Sequence, residues 1–301
     1  MNPTQTSKNL TASRHLLPFL AVMFLVLFAG AAVLFWQQHS ARLTGRTALV
    51  SSAVAEDLKA VLEQQAKGLA LAARPIALDA RVREALIAKD PERLLADWQG
   101  LFDLLHKEQN LTHFYFSDAN RVCLLRVHKP EKRGDRFERF TAKEAERTRK
   151  PAWGIELGSL GTFTLRLVQP VFDGERLAGY VELGKEIEDV LQSVEAKSGV
   201  QIAVSIKKDA LKRENWEAGM RLLGREADWE RLPHSVIIYA TAGRLCDAFA
   251  RLADHDPSGH QHGASHRDIA DGGRDWRVTV SPLADASGNE VGDLLVMNDI
   301  T

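Results

Sequence analysis

The pattern of hydrophobic positions begins with an uncharged run of 21 residues, Leu16–Trp36. A helix of that length spans roughly 31 Å at ~1.5 Å per residue, which matches the ~30 Å hydrocarbon core of a bilayer. A cleaved secretory signal would have a shorter apolar core of ~7–15 residues, followed directly by small residues at a cleavage site. Here the small residues Ala29–Ala32 lie inside the run. The pattern therefore predicts an uncleaved membrane-spanning helix at residues 16–36.

Basic residues on the two sides of this run are nearly balanced. Lys8 and Arg14 precede it, and Arg42 and Arg46 follow it closely. The short N-terminal segment carries no acidic residue, which favours its retention in the cytoplasm. We expect residues 1–15 to be cytoplasmic and the large remainder to lie on the other side of the membrane.

A long amphipathic helix is predicted next, because apolar residues recur every three or four positions. Its buried stripe is predicted to consist of Val50, Val54, Leu58, Val61, Gln65, Leu69 and Ala72. Pro75 is expected to end the helix, since proline removes a backbone donor. The result is a stalk helix from Arg42 to Arg74 that runs along two stacked modules.

The first of these modules combines helices with a group of strands. Helices are predicted at Asp79–Lys89, Pro91–Lys107, Thr141–Arg149 and Glu186–Lys197. Strands, which alternate apolar and polar residues, are predicted at Thr112–Ser117, Arg121–His128, Gly154–Leu157, Thr162–Phe172 and Leu177–Leu183. The remaining segment, Lys129–Phe140, is a strongly charged loop.

A smaller set of elements repeats this arrangement. Strands are predicted at Val200–Ile206, Ser235–Ala240, Trp276–Pro282 and Val291–Asp299, and helical stretches at Lys208–Leu223 and Leu245–Ala253. Helices followed by antiparallel strands predict an α+β fold. We expect a first module at residues 43–195, which includes the stalk, and a second module at residues 196–301.

Strand alternation sorts the residues of the first module onto two faces. One face is apolar and includes Phe114 and Phe116, Cys123, Leu125 and Val127, and Phe163, Leu165 and Leu167. We expect this face to pack on the stalk helix. The opposite face carries aromatic, hydroxyl and charged residues, and the segment from Lys129 to Trp153 would cover it.

The mixed face is the candidate ligand site. Its proposed ligand-binding residues are Tyr115, Arg126, His128, Trp153, Arg166 and Tyr180. Guanidinium groups are fork-shaped donors that suit a carboxylate or phosphate, so the expected ligand is a small anionic or zwitterionic molecule. A structural alternative is that Arg126 pairs with Glu182 or Glu156, or that a half-polar sheet simply faces water.

Composition narrows the function further. The formal net charge is −1 and 26% of residues are charged, so no basic excess indicates nucleic-acid binding. Cys123 and Cys246 are expected to be buried thiols rather than a disulfide. His260, His262 and His266 lie in a loop rich in glycine, serine and aspartate, which favours a solvated loop over a metal site. No catalytic constellation is recognisable, and we expect neither a cofactor nor enzymatic activity.

Several motifs of the first module occur together in one family. They are Phe114-Tyr115-Phe116-Ser117-Asp118, Leu125-Arg126-Val127-His128-Lys129-Pro130, Gly134-Asp135, Phe140-Thr141, Glu144-Ala145-Glu146, Gly154-Ile155-Glu156-Leu157-Gly158 and Leu165-Arg166. In these motifs the chain resembles the double Cache sensor family, over roughly Leu43 to Thr301. In the second module, Trp276-Arg277-Val278 and Gly292-Asp293-Leu294-Leu295-Val296 resemble the closing hairpin of that family.

The resemblance implies an extracytoplasmic, ligand-sensing region of a bacterial receptor in the inner membrane. Two PAS-like modules would lie on one long helix, with the ligand in the membrane-distal first module. The expected partners are a small molecule, the membrane and, along the stalk, a second copy of the chain. Two alternatives stay open. The chain is a fragment of a histidine kinase or diguanylate cyclase without its catalytic domain, or it docks a periplasmic protein through the Tyr115 face.

Overall fold

The structure is a computed structural model that describes residues 6–158, 160–241, 243–254 and 265–301. Within these ranges the side chains of residues 6–22, 26, 36–52 and 222 are not described. Most of the histidine-bearing loop predicted at residues 259–266 therefore lies outside the described residues. The chain divides into two compact units, Met1–Ser52 and Ala53–Thr301.

Three helices precede the first sheet. They are α1 (Thr6–Leu78), α2 (Ala80–Ala88) and α3 (Pro91–Gln109). Asp79 begins α2 by accepting the Arg81 backbone N–H at 2.8 Å, and Asp90 begins α3 by accepting that of Arg93 at 3.0 Å. Both carboxylates satisfy a backbone donor that the helix itself leaves unpaired.

Helix α1 differs from its prediction in its end and in its buried stripe. Pro75 does not terminate it, because Pro75 lies on the exposed side while Ile76 and Ala77 after it are buried. From residue 53 onward the buried stripe is Val54, Leu58, Leu62, Ala66, Leu69, Ala73 and Ile76. The predicted Val61, Gln65 and Ala72 are only partly buried, so the centre of the stripe lies one residue further along.

The predicted membrane-spanning helix at Leu16–Trp36 is not found. Among the described residues, no helix combines the length and the apolar composition that crossing a bilayer requires. The backbone of this stretch is helical, within α1. The side chains of residues 16–22, 26 and 36 lie outside the described set, and those of Phe24 and Phe28 are exposed. The membrane span stays a prediction from the sequence.

The first sheet is antiparallel, with the strand order β2-β1-β5-β4-β3. Its strands are β1 (His113–Asp118), β2 (Cys123–Arg126), β3 (Ala152–Leu157), β4 (Phe163–Asp173) and β5 (Arg176–Glu186), and α4 (Phe140–Thr148) lies between β2 and β3 in the chain. Phe114, Phe116 and Leu165 on the apolar face are fully buried, as expected. The Trp98 ring of α3 packs on Phe116, with ring centroids 6.4 Å apart.

A β-bulge changes the face of one predicted residue. The pairing of β1 with β2 shifts register between Phe116 and Ser117, so that Cys123 lies opposite Ser117. Because one extra residue reverses the alternation, Cys123 belongs with Tyr115 and Tyr180 rather than with Leu125. The prediction that Cys123 lies on the apolar face was therefore wrong.

The second sheet has the equivalent strand order, β7-β6-β10-β9-β8. Its elements are α5 (Glu188–Ser198), β6 (Gln201–Lys207), α6 (Arg213–Leu222), β7 (Ser235–Ala240), α7 (Asp247–Leu252), β8 (Ser265–Asp271), β9 (Arg274–Ala284) and β10 (Glu290–Asp299). Strand β8 was not predicted from the sequence. Two antiparallel sheets of one topology confirm the predicted α+β class, whereas the module boundary at 195/196, which falls inside α5, stays a prediction.

Glycines allow the two sheets' elements to approach each other closely. The Ala286 backbone N–H, in the β9–β10 turn, donates to the Ile155 carbonyl of β3 at 2.8 Å. A Cβ at Gly154 would collide with Ala286, and one at Gly219 of α6 would collide with the Leu160 carbonyl. Strand β3 and the turn after it are therefore held directly against the second module.

The close contact at Gly219 predicts that a Gly→Ala substitution there destabilises the chain, whereas the same substitution in a helix ordinarily stabilises it. Replacing glycine in a helix by alanine ordinarily stabilises a protein by about 0.5–1 kcal/mol. We expect that gain for Gly100→Ala in α3, where a Cβ meets nothing within 4 Å. Gly219→Ala should instead lower the free energy of unfolding by roughly 1–3 kcal/mol, because a backbone carbonyl cannot move aside cheaply. Urea denaturation of the full chain checks this, and stabilisation by both substitutions would contradict the contact.

Candidate functional site

Strand register brings most of the predicted ligand-binding residues to one face of the first sheet. Tyr115 of β1 lies opposite Arg126 of β2 on one side and opposite Glu182 of β5 on the other. Arg166 of β4 lies on the same face, where it pairs with Gly184, two residues along β5 from Glu182. His128 follows β2, and its ring stands edge-on to Tyr115 at 4.8 Å between centroids.

This face is covered and does not lie open to water. Tyr115 packs in one cluster with Phe137 of the charged loop and with Ala142 and Ala145 of α4. Arg166 is only 4% exposed and Glu182 only 2%. The segment after Lys129 thus covers this face, as predicted, and the alternative of a polar face that is open to water is wrong.

An arginine–carboxylate cluster fills the covered face. Its members are Arg126, Arg139, Arg166, Asp135, Glu156, Glu182 and Glu186. Glu182 accepts hydrogen bonds from Arg166 Nη1 at 2.8 Å and from Arg139 Nη2 at 2.5 Å. Glu156 Oε2 lies 3.5 Å from Arg166 Nε and 3.6 Å from Arg139 Nε, a charge contact that is too long for a hydrogen bond.

Arg126 pairs with neither of the glutamates considered from the sequence. Its Nη1 and Nη2 donate to the two carboxylate oxygens of Asp135 at 2.8 and 2.7 Å. The alternative that Arg126 pairs with Glu182 or Glu156 is therefore wrong, and those two carboxylates lie beside Arg166 instead. Asp135 was not recognised as the partner of Arg126, because it lies in the loop, where no periodicity assigns side chains to a face.

Tyr115 stands at the centre of the three arginines. The guanidinium carbons of Arg139, Arg126 and Arg166 lie 5.2, 5.5 and 5.9 Å from its ring centroid. A cation over an aromatic face is attracted by the negative face of the ring. The ring therefore helps to hold three like charges in one small volume.

Helix α4 is tied to the same cluster. Its Thr141 backbone N–H, at the first turn, donates to Glu156 Oε1 at 2.8 Å in a buried hydrogen bond. A carboxylate at a helix N-terminus satisfies a free backbone donor and interacts favourably with the helix dipole. Glu156 thereby connects α4 to the edge strand β3.

Hydrogen-bonding capacity remains unused around the cluster. Six buried atoms have no hydrogen-bond partner among the residues that the structure describes: Nε of Arg139 and of Arg166, Oε2 of Glu156 and of Glu186, Oγ1 of Thr141 and Oη of Tyr180. Buried polar groups are ordinarily paired, so such atoms call for an explanation. The set contains both donors and carboxylate acceptors.

Burial and charge separate the pKa values of the carboxyls. Burial alone would raise the pKa of Glu182, but Arg139 and Arg166 outweigh it and hold that pKa below its ordinary value. Burial dominates at Glu156 and raises its pKa. It raises the pKa of Glu186 to about 7, so this carboxyl titrates near neutrality.

The two histidines at this end of the face are neutral at physiological pH. Burial lowers the pKa of His128 to about 4 and lowers that of His113 well below its ordinary range, with the nearby arginines adding to the effect. The ring of His113 stacks on Tyr115 at 5.8 Å between centroids. The two imidazole rings therefore pack against Tyr115 as uncharged groups.

Two predicted site residues lie away from the centre of the cluster. Trp153 is 45% exposed and pairs with Leu167 in the strand register, which places it on the apolar face, opposite to Glu156. Tyr180 is on the correct face and 1% exposed, packed with Cys123 and Ala145 towards the other end of the sheet. Burial raises the pKa of Tyr180 to about 12.

Sequence reasoning missed several residues of the cluster. Glu182 was on the predicted polar row and Glu156 was considered as a partner, so alternation was a usable signal for both. Arg139, Asp135 and Phe137 lie in the loop before α4, and only the fold brings them over Tyr115. No local pattern could have selected them from its many charged residues.

A second concave feature lies in the second module. A cavity of about 470 Å³ runs beside β7 and includes Trp216, Tyr239, Arg225 and Arg231 among its lining residues. Arg225 pairs with Glu188 at 2.5 Å, and Arg231 with Asp247 at 2.9 Å. Each of these arginines also donates to a backbone carbonyl, Arg225 to that of Ile238 and Arg231 to that of Leu245, so both are held by the second module itself.

Metal ligands and disulfides do not feature in the described part of the chain. No group of three or more histidine, cysteine, aspartate or glutamate residues there could hold a metal ion. Cys123 is a buried free thiol and Cys246 a half-buried one. Burial raises the pKa of Cys123 to about 11, so it is protonated at neutral pH and a poor nucleophile.

Three solved sensor or ligand-binding domains overlap with the chain at low sequence identity. The sensor domain of the Vibrio cholerae histidine kinase DctB overlaps with a TM-score of 0.49 and 12% identity, over 85% of this chain and 98% of that domain. The periplasmic domain of Vibrio cholerae LuxQ overlaps with a TM-score of 0.45 and 13% identity, over 82% of this chain and 98% of that one. The ligand-binding domain of the Campylobacter jejuni chemoreceptor Tlp3, in complex with 4-methylisoleucine, gives 0.40 and 13%, over 83% and 92%.

The family is established by the sequence itself. No curated protein matches the chain. Residues 49–301, however, match the family described as the double sensory domain of two-component sensor kinases, dCache_3. That match covers both sheets and the last 30 residues of α1, from residue 49 to Leu78. The chain therefore belongs to this family of double sensory domains.

Proposed function

We propose that the chain is the ligand-sensing region of a bacterial signal-transduction receptor, and that it binds a small zwitterionic or anionic molecule at the arginine–carboxylate cluster. The unused buried hydrogen-bonding atoms around Arg139, Arg166, Glu156 and Glu186 carry this proposal. An apolar core would be easier to build than a buried set of charges, which supports a role in recognition. No catalytic role is inferred for residues 49–301.

The charges of the cluster favour a ligand that carries both signs. Three guanidinium groups face four carboxyls, and the pKa of Glu186 near 7 sets the cluster between neutrality and a single negative charge. A ligand with a carboxylate and an ammonium group adds no net charge to this buried site. Its ammonium group would match the unused glutamate acceptors, and its carboxylate would bind guanidinium donors of the cluster.

The ligand would act by shifting a population. Binding changes the equilibrium between two arrangements only through different affinities for them, and a coupling free energy of ~1–3 kcal/mol is typical. We infer that residues 16–36 anchor the chain in the inner membrane, so that this shift reaches the membrane through α1. A second copy of the chain, paired along the stalk, is compatible with such a receptor.

Arg126→Ala tests the sensing role. Removing this guanidinium should weaken ligand binding at least tenfold, since truncating one partner of a buried charged pair costs about 2–5 kcal/mol. The fold should survive, because the carboxylate left behind, Asp135, is half exposed. The measurement is a thermal-shift screen of the full chain with amino acids and dicarboxylates.

The matched control is Arg133→Ala, which removes an exposed arginine of the same loop that pairs with Glu92. It should keep every ligand-induced shift of the unmutated protein. Equal shifts in Arg126→Ala and Arg133→Ala, or no shift with any compound, would exclude this ligand site.

Glu186→Gln should change the pH dependence of stability. Because the pKa of Glu186 is raised to about 7 in the folded chain, the folded state holds a proton at mildly acidic pH that the unfolded state has released. Stability contributed by this proton falls as the pH rises towards 7 and beyond. The substitution removes that loss, so its unfolding midpoint should match the unmutated protein near pH 5 and exceed it at pH 8.

Thermal unfolding between pH 5 and pH 8 measures this difference. The effect of His128 is common to both proteins and cancels. His113 Nδ1 lies 3.9 Å from Glu186 Oε1, so any change in His113 is part of the measured effect of removing the Glu186 carboxyl. Glu131→Gln, which removes one exposed carboxylate, controls for surface charge. A midpoint difference that is constant across the range would show that Glu186 is not perturbed.

Membrane attachment is tested by alkaline carbonate extraction of cells that express the full chain. We expect the chain to stay in the membrane pellet. Replacing Leu25 and Leu27 with arginine should release it, because each central arginine costs about 2.5–3.5 kcal/mol for insertion. Release of the unmutated chain by carbonate would rule out the anchor at residues 16–36.

A further inference from the structure

The two outer nitrogens of Arg126 are both engaged by one carboxylate. Nη1 and Nη2 donate to Asp135 at 2.8 and 2.7 Å, in the parallel two-bond geometry that arginine also uses for external carboxylates. Phe137 and Tyr115 lie 5.6 and 5.5 Å from the guanidinium carbon. The arginine side chain itself is only 8% exposed. Arg126 is thus a preorganised carboxylate receptor whose bonding positions are taken.

Asp135 differs from the other carboxyls that pair with these arginines. Its side chain is 50% exposed, whereas those of Glu156 and Glu182 are 8% and 3% exposed. A half-exposed carboxylate regains most of its hydration when it leaves its partner, and a buried one does not. Among the described ion pairs between these arginines and Asp135, Glu156 or Glu182, the Arg126–Asp135 pair is the one whose carboxylate can move into solvent, provided that another anion takes its place at Arg126.

The backbone around Asp135 is held in place on β2. The Cys123 backbone N–H donates to the Asp135 carbonyl at 2.8 Å, and the Gly134 N–H donates to the Cys123 carbonyl at 2.9 Å. Val122 and Arg136 form a further antiparallel bridge. The Asp135 side chain can therefore rotate away from Arg126 without opening of the loop, while Arg126 Nη1 keeps its hydrogen bond to the Lys132 carbonyl at 2.5 Å.

We propose that Asp135 is a built-in competitor that occupies Arg126 in place of the ligand's carboxylate and is displaced by it. The inference rests on the proposed function, since it assigns the ligand's carboxylate to Arg126. It also defines a selectivity rule: only a ligand with a planar two-oxygen anion reproduces the bonds that Asp135 gives up. A neutral compound or a simple amine does not open this pair.

Such a competitor lowers the apparent affinity, because the ligand binds only the fraction of molecules in which Arg126 is free. A competitor that holds Arg126 in about nine molecules out of ten weakens the observed binding about tenfold. Removing the competitor should therefore tighten the binding of carboxylates, whereas removing a ligand-contacting residue should weaken it. The sign of the change separates these two roles of Asp135.

The test follows Arg126 directly, by its rate of modification with p-hydroxyphenylglyoxal, read by peptide mass spectrometry on the full chain. The variants are Asp135→Ala and, as the control, Glu131→Ala, which removes an exposed carboxylate of the same loop that pairs with Lys129 at 4.0 Å. Sodium acetate is the minimal carboxylate probe, and ethylammonium chloride is the matched cationic probe.

We expect Asp135→Ala to raise the modification rate of Arg126 several-fold and Glu131→Ala to leave it unchanged. Acetate should protect Arg126 in Asp135→Ala at roughly one tenth of the concentration needed in the unmutated chain, and ethylammonium should protect it in neither. An unchanged rate, or equal acetate concentrations, would overturn the inference. Protection by ethylammonium that is lost in Asp135→Ala would also overturn it, since Asp135 would then bind a cation.

This outcome is independent of the test of ligand sensing. If the thermal-shift screen finds a ligand that depends on Arg126 but binds more weakly to Asp135→Ala, the proposed function stands and the competitor role fails. If Arg126 becomes reactive and acetate-protected in Asp135→Ala but no compound shifts the unmutated chain, the exchange is real and the sensing role fails.

Discussion

Burial of the Arg166 guanidinium in the first sheet is the constraint on which the surrounding structure depends. A charge that is 4% exposed loses its hydration, at a cost of several kcal/mol, and cannot give up its proton. Glu182 at 2.8 Å and Glu156 at 3.5 Å must therefore be held beside it. Their effect raises the pKa of Arg166 although burial alone would lower it.

This requirement links elements that are distant in sequence. Glu182 comes from β5, Glu156 from β3, and Arg139, the second partner of both, from the loop before α4. Glu156 also receives the Thr141 N–H of α4. Strand β3 then touches the second module through the Ile155 carbonyl, which accepts the Ala286 N–H. One short strand is thus in contact with both the charged site and the second module, which gives a change at the site a contiguous route outward.

The sequence was informative where a residue's role follows from periodicity. Alternation placed Tyr115, Arg126 and Arg166 on one face and Phe114 and Phe116 on the other, and the two α+β modules followed from the order of elements. Errors arose where one residue reversed the alternation. The bulge between Phe116 and Ser117 moved Cys123 across the sheet. The error at Trp153 has a different origin: it was expected in the covering segment, but β3 begins at Ala152 and its register puts Trp153 on the face opposite to Glu156.

Other features had no local signal at all. Asp135 and Arg139 belong to a loop, residues 129–140, in which eight of twelve residues are charged, and only tertiary packing selects these two for Arg126 and Glu182. Pro75 did not end α1, because the residues after it continue a buried stripe. Strand β8 follows a stretch of sequence rich in glycine and histidine and has little apolar alternation, and it lies at the edge of the sheet, where it pairs with β9.

The central claim is that the buried charges serve recognition rather than stability. Its most direct test replaces the network by uncharged side chains of similar size: Arg139→Met, Arg166→Met and Glu182→Leu, with Glu156→Gln to keep an acceptor for the Thr141 N–H. The account predicts an unfolding midpoint equal to or above that of the unmutated chain, and complete loss of the thermal shifts caused by amino acids and dicarboxylates. A strongly lowered midpoint, or shifts that persist in this variant, would contradict it.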